Sequence, residues 1–74
     1  MKAPEAHTLD EAYDLARCIQ VAFDRVAPWT DEFVRESWKN GTFNTVVAND
    51  WEHVWSEKQC RRIMALHIAN RLAR

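Results

Sequence analysis

Thr8, Thr30, Thr42 and Ser56 each stand just ahead of a run whose apolar residues recur three and four positions apart, and they divide the 74-residue chain into four helix-length pieces. A hydroxyl side chain in that place accepts from the N–H groups that the first turn of a helix leaves open. Thr8-Leu9-Asp10-Glu11 and Ser56-Glu57-Lys58-Gln59 go further. They read as capping boxes, in which the third helical side chain reaches back to the N–H of the cap.

The spacing predicts an all-α protein: a compact bundle of about four short helices over 9–27, 31–39, 43–54 and 57–73. In the first, Leu9, Ala12, Tyr13, Leu15, Ala16, Ile19, Ala22, Phe23 and Val26 fill one arc. Asp10, Asp14, Arg17, Asp24 and Arg25 fill the other, with Cys18 and Val21 misplaced on this polar side. Pro28 is expected to end the helix, since it lacks an N–H and pushes Ala27 away from helical geometry. In the second, Thr30 caps, Asp31 and Glu32 face the positive end of the helix dipole, and Asn40-Gly41 closes.

The third piece contains Thr45, Val46 and Val47, which suit a strand. Its apolar residues Phe43, Val46, Val47, Trp51, Val54 and Trp55 nevertheless fall at helical spacing, so a helix capped by Thr42 fits better. A helix running straight from Trp51 to Cys60 would put the two on opposite sides at about 100° per residue, so a break is expected at Ser56. In the last helix Cys60, Ile63, Met64 and His67 form a stripe flanked by Leu66, Ile68 and Leu72, an arc broad enough to be contacted on more than one side. No linker or repeat divides the chain, and residues 1–74 are expected to form one helical domain.

The longest unbroken apolar run is four residues, against about 20 for a bilayer span, so no membrane role is expected. Two cysteines, Cys18 and Cys60, are too few for a disulfide scaffold, and the N-terminal MKAPEAHTLDEAYD lacks the apolar stretch of an export signal. The expected home is the cytoplasm.

The formal charge of −1 conceals a separation along the chain. Residues 5–36 hold eight acids against Arg17, Arg25 and Arg35, whereas residues 57–74 hold Lys58, Arg61, Arg62, Arg71 and Arg74 against Glu57. Such asymmetry serves either an acidic or nucleic-acid partner or attraction between the two ends, within the fold or across a homodimer.

Among the tryptophans, Trp29 and Trp55 each precede a cap, with Val34 and Cys60 at the fourth helical position, the arrangement of a hydrophobic staple. Trp38 lies on an apolar side, and Trp51, between Asp50 and Glu52, is the one left over for a partner. His7, His53, His67, Cys18 and Cys60 show no ligand spacing, so no metal or cofactor is expected. One glycine leaves no phosphate-cradling loop, and no nucleophile elbow or triad context is present, so no enzyme is expected.

A helix-turn-helix aligned on Gly41 places Glu36, Asn40 and Thr42 where apolar residues should join its helices. A sequence pI of 6.3 also opposes a dedicated DNA binder. The expectation is therefore a small non-enzymatic regulatory protein that binds another protein as an inhibitor, adaptor or host-modulating factor of bacterial or phage type. The alternative is a small DNA- or RNA-binding regulator using the basic C-terminal helix. The candidate partner-binding residues are Trp51, Lys58, Arg61, Arg62, Arg71 and Arg74.

Overall fold

The computed structural model describes residues 2–23 and 29–73. It contains α1 (Leu9–Phe23), α2 (Asp31–Lys39), α3 (Phe43–His53) and α4 (Glu57–Leu72), with no strand among the described residues. The all-α bundle expected from the spacing is the fold. The expected continuation of α1 through Asp24, Arg25 and Val26, and its ending at Pro28, lie outside the described residues.

The helix starts follow the caps, with one exception. Thr8 Oγ1 accepts from Glu11 N–H at 3.1 Å. The Glu11 carboxylate reaches past the cap to His7, accepting from its N–H at 2.6 Å. Thr30 accepts from Phe33 N–H at 3.2 Å, and Ser56 and Gln59 form the full reciprocal box. Thr42 is the correction, for its side chain makes no cap bond. Gly41 turns the chain through a positive φ of 75°, which brings Thr42 back onto the end of α2. There its Oγ1 and its N–H both donate to the Ser37 carbonyl, at 3.3 and 2.8 Å.

The buried residues form one cluster, in which α4 lies against α1, α1 against α2 and α2 against α3. Leu15, Ile19, Val34, Phe43, Val47 and Ile63 are its largest fully buried side chains. Cys18 is buried too, although it falls on the polar side of α1 by pattern, because α4 covers that side and Asn70 Nδ2 reaches its Sγ at 3.3 Å. Val21, the other misfit, stays 57% exposed. The N-terminal segment is tied down by Asn44, whose amide both donates to the Ala6 carbonyl and accepts from its N–H, each at 2.9 Å.

The box at Ser56 sets where α4 begins and hence which side it shows to α1. Ser56→Ala is expected to destabilise the protein by about 1 kcal/mol, the usual loss for such a cap, read as a lower urea midpoint. An unchanged midpoint would mean that the cap adds nothing to stability.

Candidate functional site

α4 presents an inner and an outer side. Cys60 and Ile63 are buried inward, and Met64, Leu66 and His67 are partly buried beside them. Outward, Lys58, Arg61, Arg62, Ala65, Ile68, Ala69 and Leu72 are all exposed. At about 100° per residue, Arg61, Ala65, Ile68 and Leu72 share about 60° of arc, and Lys58, Arg62 and Ala69 widen it. The result is one continuous stripe with cations over its first turns and apolar groups over its last. Ile68 is 48% and Leu72 83% exposed.

Among the described residues, the second contact expected for this broadly apolar helix is therefore not made. Ile68 and Leu72, read from the sequence as flanks of the inward stripe, belong to the outer side. The signal was available in their phase relative to Arg61 and Ala65, but α4 offers so much apolar arc that its own pattern does not choose a side. Packing on α1 chooses.

The predicted partner residues divide. Lys58 and Arg62 make no ion pair among the described residues. Arg61 meets Glu57 one turn back at 2.6 Å, both side chains being well exposed, a kind of pair worth little in water.

Arg71 faces elsewhere, lining a cleft of about 230 Å³ with Glu5, Glu11, Asp14 and His67 between α4, α1 and the N-terminal segment. There, among the described residues, the basic end of the chain meets the acidic end. Arg74 lies outside the described residues.

The exposed, partner-facing position expected of Trp51 is corrected. It is 6% exposed, since Phe43, Val47 and Trp51 recur every fourth residue on the inner side of α3. Its ring stands edge-on to Trp55 with centroids 6.3 Å apart, and its carbonyl faces Cys60 Sγ at 3.6 Å.

Burial pushes both thiols up from their ordinary value, with the Asn70 bond opposing this at Cys18. Cys60 consequently gains no reactivity from the neighbouring arginines. Among the described residues no three His, Cys, Asp or Glu side chains come together as metal ligands, and no helix is long and apolar enough to cross a membrane.

His67 sits on the inner side of α4. Its Nδ1 is buried without a hydrogen-bond partner among the described residues. Burial first, and then the charge of Arg71, hold it below the ordinary histidine value of 6.5, while Glu11 pulls the other way. The folded protein thus keeps His67 neutral where the unfolded chain would protonate it.

Stability should be complete above pH 6.5 and fall as the pH drops from there towards the lower value of folded His67. Glu11 acts in a more acid window. Its carboxyl is held below 4.5, chiefly by the His7 N–H, so its contribution is lost only as it too becomes protonated. The melting temperature measured against pH should decline below 6.5, and His67→Gln should flatten that part of the curve. A variant with the parent's slope would locate the effect in another group.

Comparison with known protein families, with curated proteins and with solved structures finds no match.

Proposed function

We propose that the protein is a small non-enzymatic regulator that works by binding a protein partner through the outer side of α4. The observation that carries this reading is the continuity of the stripe. Lys58, Arg61 and Arg62, which make no ion pair beyond α4 among the described residues, run directly into exposed Ile68 and Leu72.

The matching surface is an acidic patch bordering an apolar depression. The arginines would steer encounter and fix register, and Leu72 would seat as the apolar anchor. Binding of this kind acts by occlusion, as an inhibitor does, or by bridging, as an adaptor does. Buried thiols kept protonated suit a reducing compartment, and the cytoplasm is the proposed setting.

A nucleic-acid role is the weaker reading. Affinity for phosphates grows with the number of cations that reach them, whereas here Arg71 turns towards the acids of α1 and the second half of the stripe is apolar. Capture by the tagged protein from cells that encode it, with and without nuclease, separates the two. A protein retained after nuclease treatment is the expected result. Retention only of nucleic acid, with affinity falling by roughly 0.9 decades per decade of salt for each phosphate contacted, would overturn the proposal.

A further inference from the structure

The same chain carries a second surface whose chemistry complements the stripe. On the outer side of α1, Asp10 and Asp14, together with Asp31 at the start of α2, line a shallow depression of about 390 Å³ whose other walls are Tyr13 and Arg17. Asp10 and Asp31 are exposed and make no ion pair among the described residues. Exposed Asp10 and Asp31 outnumber Arg17, the one cation among these lining residues, so the depression is negative.

Further along α1, exposed Val21 continues that side as an apolar group. Asp10 and Val21 are eleven positions apart, and so are Arg61 and Leu72. At about 1.5 Å per residue both spans measure about 16 Å. Each surface therefore runs from charged to apolar in the direction of its helix, over the same length and with opposite sign.

We infer that the α4 stripe docks on the acidic outer side of α1 and the start of α2 in a second copy of this chain, helix directions parallel. Arg61 and Arg62 lie over Asp10 and Asp31, and Leu72 meets Val21. Such self-association covers the residues that the proposed partner needs, so the two are mutually exclusive. The inference rests on the reading of α4 as a binding surface and adds that the protein can mask that surface with itself.

The test is charge exchange between two full-length variants, followed by sedimentation equilibrium at low salt. The parent should self-associate as its concentration is raised and dissociate as salt is added. Arg61→Glu/Arg62→Glu alone, and Asp10→Arg/Asp31→Arg alone, should each remain monomeric. Their mixture should associate again, because each variant then supplies what the other lacks.

Circular dichroism confirms that each variant is folded. Should the arginine substitutions at the helix starts unfold the second variant, Asp10→Asn/Asp31→Asn, tested for loss of self-association, takes its place. A parent that is monomeric at all concentrations, an aspartate variant that associates like the parent, or a folded mixture that stays monomeric would each overturn the inference. Partner capture reads the underlying proposal separately, since the aspartate variant keeps α4 intact and should still bind the partner.

Discussion

Trp29→Ala is expected to remove a large part of the protein's stability. Removing a buried aromatic side chain costs about 3–5 kcal/mol, and a chain of 74 residues has only about 4–11 kcal/mol in total at ~0.05–0.15 per residue. Trp29 is 5% exposed. Its ring meets Phe33 edge-on at 5.2 Å, Phe43 edge-on at 5.9 Å and Trp55 at 5.9 Å. One side chain thus joins α2, the start of α3 and the approach to α4, and its carbonyl accepts from the Gln20 side chain of α1.

Reading Trp29 as a staple for one helix start leaves out these ring contacts, which tie several helices together. Trp55, packed on Phe23 at 5.3 Å but only partly buried, should lose less when replaced by Ala. Urea titration followed by circular dichroism checks both. A Trp29→Ala variant with the parent's midpoint would show that the aromatic cluster is not what holds the helices together.

Arg61→Glu/Arg62→Glu should abolish partner binding while the fold survives. Both side chains are exposed, and the double substitution breaks the surface ion pair between Arg61 and Glu57. Replacing that pair by like charges one turn apart costs a few tenths of a kcal/mol, about 0.2–0.5. Across an interface, like-charge juxtaposition costs several kcal/mol, and at about 1.4 kcal/mol per decade that is roughly a hundredfold loss of affinity or more.

Leu72→Asp should also weaken binding from the apolar end of the stripe, again with little effect on stability, because Leu72 is 83% exposed. Melting curves and titration with the captured partner give the two readouts. Variants that melt early while binding normally would assign the arginines to the fold instead.

The helix framework is legible in the sequence because it is written in local chemistry. Thr30, Ser56 and Gly41 act within one turn of where they stand, and the spacing of Phe43, Val47 and Trp51 identifies α3 as a helix despite its β-branched residues. What the spacing misses is set by residues further off. Thr42 has the position of a cap, but the left-handed turn at Gly41 returns it to α2. Cys18 is buried by a helix some fifty positions away, and Asn44 clamps a backbone 38 residues distant.

The candidate site is half legible for the same reason. Charge separation points to α4 from the sequence alone, and Lys58, Arg61 and Arg62 remain on its surface. Which cations the fold uses internally depends on what stands opposite. Arg71 finds Glu11 and the cleft, and Trp51 finds the core. Ile68 and Leu72 complete the surface only once α1 has taken the other side of the helix.

The central claim is that the outer side of α4 meets the partner. A photo-crosslinking residue placed at Ala65, exposed at the middle of the stripe, tests it most directly when compared with the same residue at Thr45, exposed on α3. Irradiation in the native cells should give, from position 65, an adduct to a protein other than this chain that survives nuclease, is absent from position 45 and disappears in Arg61→Glu/Arg62→Glu. An adduct from position 45 with none from position 65 would contradict the account.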